Sequence, residues 1–238
     1  MYSVSTSFTV LCLRCLVLTA SVNVYVYYMV FIDLTKALDT VSREGLWQVL
    51  GCPETLIRII QSFHDGMRGQ AVDGGDISVP FDIANATKQG CVLAPLLFCI
   101  FFSTMLLVAF KDCDAGIPIR FGTDGSVFNL RRLQARTKTY AAVVRELLYA
   151  GDCALMAHTQ ADAQQLFSRF LNAATRFGLT VSLRKTEVML QPVNRLKSSP
   201  PVIMAGETAL PAVEKFCYLG SALSSDANID NDISSRVD

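Results

Sequence analysis

The stretch Met29-Val-Phe-Ile-Asp33-Leu-Thr-Lys-Ala-Leu-Asp39-Thr40 decides the reading of the whole chain. It closes a β-branched and aromatic run, Val24 to Ile32, whose composition is that of a strand. The run ends on one carboxylate, Asp33, and a second, Asp39, follows on the turn or helix beyond. A carboxylate at a strand's end is held rigidly by its scaffold and stays open to solvent or a metal ion. Taken alone, Asp33 reads first as a cap for the next helix. What overturns that reading lies further along the chain.

Four more motifs follow in order: Lys88-Gln-Gly-Cys-Val-Leu-Ala-Pro-Leu-Leu-Phe98, Tyr149-Ala-Gly-Asp152, Gly178-Leu-Thr-Val-Ser-Leu-Arg-Lys-Thr-Glu-Val-Met189 and Phe216-Cys-Tyr-Leu-Gly-Ser221. Together with Phe31 to Asp39 they resemble, in order and spacing, the successive palm motifs of reverse transcriptases. The resemblance is nearest to the polymerases encoded by non-LTR, LINE-like retrotransposons, and runs from about Tyr28 to about Val237. Any one motif alone is weak. Five in order are strong.

The resemblance implies an α+β fold, the split βαβ polymerase palm, with an antiparallel sheet backed by helices. It implies a palm over residues 28–191, then a small β extension and the truncated start of a thumb over 192–238. Residues 1–27 resemble nothing in the family and read as an unrelated apolar segment from a mis-joined or truncated reading frame, with the fingers missing. The implied partners are an RNA template, a DNA primer and deoxynucleotides, in an intracellular setting. The implied chemistry is attack of a primer 3′-hydroxyl on a nucleotide's α-phosphate, aided by two Mg²⁺ ions ~3.5–4 Å apart.

Such ions want carboxylate oxygens. The resemblance assigns catalysis and metal binding to Asp33 on the strand and to the hairpin turn, which in the family carries two adjacent Asp. Here the turn reads Tyr149-Ala-Gly151-Asp152, so Asp152 remains and the first Asp is a glycine without a side-chain oxygen. One formal charge fewer in a dinuclear site costs several kcal/mol of transition-state stabilisation, on the order of a thousandfold in rate. The expectation is an inactive copy. Leu38 stands where the family has an aromatic ring beside the ribose 2′-hydroxyl. Gln89 and Gly90 match the nucleotide-contacting Gln-Gly, Lys185 the lysine beside the pyrophosphate, and Tyr218, Leu219 and Gly220 the primer contact.

Composition weighs on both sides. The 238 residues are 51% hydrophobic with mean hydropathy +0.36, high for a water-exposed domain. Lys and Arg (21) balance Asp and Glu (21), which argues mildly against a broad nucleic-acid footprint but leaves room for one basic groove. The densest basic cluster, Arg131, Arg132, Arg136 and Lys138, reads equally as a solvated helical face or as phosphate contacts. The 8 cysteines are scattered, and Cys91, Cys99 and Cys153 sit inside apolar runs. They read as small buried hydrophobes in a reducing compartment. Cys12-x-x-Cys15 is half a zinc site with no second half.

Two rivals remain. Phe8 to Ile32 and Cys91 to Phe110 are apolar enough to read as membrane spans. The resemblance instead makes the second a palm helix buried on all sides, with Pro95 in its first turn. The other rival is a relic that binds nucleic acid without catalysis.

Local signals fill in the rest. Arg43 to Leu50 reads as a helix with Leu46, Trp47 and Leu50 on one side, and the following link to Pro53 is shorter than in the family. A second helix from Pro53 is expected to bury Leu56, Ile57, Ile60, Phe63 and Met67. Hairpins are expected at Asp73-Gly-Gly-Asp76 and Gly122-Thr-Asp-Gly125, and a strand-turn-strand over Leu147–Ala157. Thr159 and Asp162 form a capping box for a helix burying Leu166, Phe170, Ala173 and Phe177, which Gly178 stops. Leu179 to Val181 reads as a strand, Pro192 to Pro201 as a linker, and Val202 to Met204 as pairing with Phe216 to Leu219. His158 receives no chemistry.

Overall fold

Tyr27–Ile32, apolar or aromatic at every position, forms the central strand β1 of a four-stranded sheet. The structure, a computed structural model, describes residues 26–83, 93–120, 141–149, 151–192, 199–218 and 221–226. After β1 come the single turn α1 (Ala37–Thr40), helices α2 (Arg43–Val49) and α3 (Glu54–Ser62), and the two-residue strands β2 (Arg68–Gly69), β3 (Val72–Asp73), β4 (Asp76–Ile77) and β5 (Phe81–Asp82). Helix α4 (Leu93–Ala109) precedes β6 (Ile117–Arg120), β7 (Ala141–Val144), β8 (Glu146–Tyr149) and β9 (Asp152–Ala157). Helix α5 (Gln160–Arg176) and β10 (Glu187–Gln191) follow. The short strands β11 (Met204–Ala205), β12 (Thr208–Ala209), β13 (Lys215–Tyr218) and β14 (Ser221–Ser224) come last.

These elements fall into two compact units. The first holds the described residues up to Asp33, Asp112–Arg169, and those from Ser182 onward. Its main sheet has the order β10-β1-β9-β8, antiparallel throughout. Because β1 is paired on both edges and buried on both faces, its sequence is a near-continuous apolar run without the alternation of a half-exposed strand. One face gathers Met29, Phe31, Leu147, Ala154, Met156 and Met189 into a core with Ile117, Tyr218 and Leu223. The mixed α+β class with antiparallel sheets is the expected one.

The capping box forms as expected: the Asp162 N–H donates to Thr159 Oγ1 at 3.1 Å, and the Thr159 hydroxyl donates to Asp162 Oδ2 at 2.8 Å. Two glutamines on the first turns of α5 then hold the segment leading into β11. The Met204 N–H donates to Gln164 Oε1 (2.7 Å) and Gln164 Nε2 donates to the Met204 carbonyl (2.8 Å), so one amide satisfies both backbone groups as a neighbouring strand would. Gln160 accepts from the Val202 N–H in the same way.

The second unit comprises Leu34–Lys111 and Phe170–Val181. Phe102 meets Phe170, and Phe101 meets Phe177, edge to face at centroid distances of 6.1 and 5.3 Å. The end of α5 is a Schellman motif: the Leu179 N–H donates to the Ala174 carbonyl and the Gly178 N–H to that of Thr175, with Gly178 at φ +75°. The expected hairpin at Asp73-Gly-Gly-Asp76 is present as β3–β4.

Several expectations are corrected. Helix α4 is not buried on all sides: Leu96 is 57% and Leu107 62% exposed, opposite a stripe of Leu97, Phe98, Phe101, Phe102 and Met105. A helix apolar all round carries no sequence record of which face is covered. Cys99 lies on its exposed side. In α3 only Ile60 is buried, with Leu56 and Phe63 exposed; the helix ends at Ser62, so helical spacing does not extend to Phe63 or Met67. Buried His64 takes the place expected of Phe63, its Nδ1 2.9 Å from the Ile60 carbonyl.

Leu179–Val181 contributes one bridge, Val181 to Leu34, and the true strand is β10, further on. Met204–Ala205 pairs with Thr208–Ala209, and β13 with β14, each with its neighbour in the chain. Strand β6 pairs with β7, while Gly122-Thr-Asp-Gly125 and the cluster from Arg131 to Lys138 lie outside the described residues. Among the described residues no helix is long and apolar enough to cross a membrane, and the described end of Phe8 to Ile32 is strand β1.

Candidate functional site

The register of β1 on β9 runs from Tyr28 opposite Ala157 to Ile32 opposite Cys153. One step further along that register stand Asp33 and Asp152, 119 positions apart in the chain. Residues so paired have Cα atoms about 4.5–5.5 Å apart. Both carboxylates line one cleft of about 110 Å³, whose wall also includes Lys185, Phe216, Cys217 and Tyr218. All belong to the first unit.

Asp33 is fixed through its backbone. Its N–H donates to Thr186 Oγ1 at 3.4 Å, and its carbonyl accepts from the Ser182 N–H at 2.9 Å. Ser182 also closes the turn, its carbonyl accepting from the N–H groups of Lys185 and Thr186. That turn brings Lys185 Nζ to 3.8 Å from Asp33 Oδ2. Across the cleft, burial and then the neighbouring Asp33 charge raise the Asp152 carboxyl above its ordinary range. The Cys153 thiol, fully buried, is pushed far up by burial, with Glu146 and Asp152 adding to it.

The far wall is aromatic. Phe216 stacks on Phe31 with centroids 3.9 Å apart and planes 8° from parallel. Tyr218, expected at a primer, is buried, and its hydroxyl donates to the Leu147 carbonyl at 3.2 Å. Burial raises its phenol above the usual range, so it stays protonated and acts here as a brace. Leu219 and Gly220 lie outside the described residues, as do Gln89 and Gly90. Leu38 lies half-buried on α1 in the second unit.

The structure therefore brings Asp33, Asp152 and Lys185 together. Sequence reading missed Ser182 and Thr186, which hold Asp33, and the stack of Phe216 on Phe31. Both lie inside the Gly178–Met189 motif, but their role in holding Asp33 comes only from meeting a strand some 150 positions away.

A family model for reverse transcriptase (RNA-dependent DNA polymerase) matches residues 14–223. The chain belongs to that family. The match begins upstream of Tyr28, where the motif resemblance began, and ends inside β14. Among solved structures, this reverse transcriptase chain is similar to an apo telomerase from Candida tropicalis truncated from the C-terminal domain. The TM-score is 0.61 at 14% identity, over 96% of this chain and 40% of that one. It is also similar to telomerase from the same organism in complex with a TWJ fragment of telomeric RNA, with TM-score 0.61 and 12% identity over 97% and 34% of the two chains. At such identities the likeness is one of fold, and this chain spans at most about two fifths of the length of either. None of the curated proteins compared with it matches.

The donor set of this reverse transcriptase domain does not fit the pair of divalent ions that the family implies. Two ions ~3.5–4 Å apart need carboxylate oxygens from several side chains at once. Here Asp33 and Asp152 line one cleft, Gly151 offers no side-chain oxygen, and an ammonium stands 3.8 Å from the Asp33 carboxylate. Among the described residues no group of three or more His, Cys, Asp and Glu gathers to hold an ion.

Proposed function

We propose that this chain is the palm portion of a reverse transcriptase from a LINE-like, non-LTR retrotransposon, and that its nucleotidyl-transfer centre is silent. The motif order from Phe31 to Ser221 supports the retrotransposon origin. The observation that carries the silence is the turn Tyr149-Ala-Gly151-Asp152, which leaves two opposed carboxylates and a lysine where the reaction needs a third carboxylate. The template, primer and deoxynucleotides of the family are the partners such a palm is built for. Magnesium is the ion its ancestral site held. Loss of one anionic ligand accounts for a drop on the order of a thousandfold in rate.

The test is a chimera supplying fingers and thumb from a related element. Magnesium-dependent primer extension is expected near background with Gly151 and clearly above it with Gly151→Asp. Asp33→Ala in the restored chimera abolishes the gain, because residues serving one centre are not additive. Robust extension by the Gly151 form that depends on Asp33 refutes the proposal. Binding to a primer–template that weakens steeply with salt, without extension, identifies a nucleic-acid-binding relic.

A further inference from the structure

The site's misfit to metal has a positive side. We infer that the Lys185 ammonium is the resident counter-cation of the Asp33–Asp152 pair, holding by a salt bridge the charge that divalent ions would otherwise hold. This rests on the proposed reading that Gly151 has emptied the turn of its carboxylate. With Gly151 in place, the cleft carries two carboxylates and one ammonium. Lys185 reaches this position by construction and not by chance contact. Its turn is closed on the Ser182 carbonyl, Ser182 donates to the Asp33 carbonyl, and the next residue, Thr186, is fully buried and accepts from the Asp33 N–H. Two backbone hydrogen bonds and the Thr186 hydroxyl thus carry the lysine to the carboxylate, leaving 3.8 Å between Nζ and Oδ2.

The physical consequence is competition. An ion entering between Asp33 and Asp152 meets the ammonium at a few ångströms, where like charges repel. The lysine side chain is 72% exposed and swings away, at the loss of its pairing. An exposed ion pair of this kind is worth up to ~1 kcal/mol, so removing the ammonium raises divalent affinity by roughly fivefold.

The experiment uses the full chain and Mn²⁺ as the probe, with bound ion counted by electron paramagnetic resonance and thermal stability followed with and without EDTA. Weak Mn²⁺ binding by the unaltered chain, with a melting temperature that EDTA leaves in place, is the expected baseline. Lys185→Met should tighten Mn²⁺ binding roughly fivefold, lower the melting temperature in EDTA, and recover it with Mn²⁺. Asp33→Asn combined with Lys185→Met should show neither change. Arg184→Met, which removes a neighbouring exposed charge outside the cleft, should leave Mn²⁺ binding as it was. Equal tightening by Arg184→Met reduces the effect to general electrostatics and overturns the inference. So does unchanged or weaker binding by Lys185→Met, while leaving the silent-centre reading intact. Tight Mn²⁺ binding by the unaltered chain overturns both.

Discussion

Asp33 and Gly151 lie at the same end of two paired strands, and they have fared differently. Around Asp33 everything that positions a carboxylate is present: a strand paired on both edges, a backbone held at N–H and carbonyl, and an aromatic stack beneath. At Gly151 the two strands are paired, with Tyr149 opposite Asp152, but the glycine brings no side chain to the turn. Packing and chemistry are separable here, because a turn carboxylate facing solvent contributes little to folding.

Four measurements sharpen or break that contrast. The largest effect belongs to the scaffold: Phe31→Ala removes a buried ring and its stack, and should lower stability by about 3–5 kcal/mol in a denaturant titration. A loss under ~1 kcal/mol would show the Asp33 side to be no better built than the turn. Next comes Glu146 on β8, whose carboxyl burial pushes from 4.5 up to about 7 against the pull of Arg145. The folded chain then holds a proton that the unfolded chain releases, so stability falls as pH rises through that window and levels off above it. Glu146→Gln should stabilise the chain by about 1–2 kcal/mol at pH 8 and by nothing measurable at pH 4, discounting for its partial exposure. Equal shifts at both would remove ionisation as the cause.

Thr186→Val keeps the shape and deletes the acceptor for the Asp33 N–H, for a cost of about 1 kcal/mol. Faster amide exchange at Asp33 would show that the bond holds the site and does not merely fill space. The smallest expected effect is that of Gly151→Asp on stability, within about 0.5 kcal/mol in metal-free buffer. A loss above ~2 kcal/mol would mean that the glycine is structural, and the contrast with Asp33 would fail.

What could be read in advance follows from the range of each signal. The capping box at Thr159 and Asp162, the stop at Gly178 and the hairpin at Asp73-Gly-Gly-Asp76 are local, decided within a few residues. Strand β10 was missed because Glu187-Val-Met-Leu-Gln191 lacks the alternation of a half-exposed strand, and pairing with β1 creates its burial. Leu96, Leu107 and Phe63 were misjudged for a related reason: apolar character says that a face can be buried, and only the surrounding elements say whether it is.

By itself the sequence determined the family, through five motifs in order, and the residue at the Tyr149–Asp152 turn, a glycine at position 151. Both are matters of which residues are present, and a side chain's functional groups do not depend on the fold. The resemblance already put Asp33 and Asp152 in one centre, but only the tertiary structure decided that Thr186 and Ser182 pin the Asp33 backbone and that Lys185 stands against its carboxylate. Those facts are distances between residues far apart in the chain. Strand register and the closure of the 182–186 turn set them, and neither leaves a local mark in the sequence.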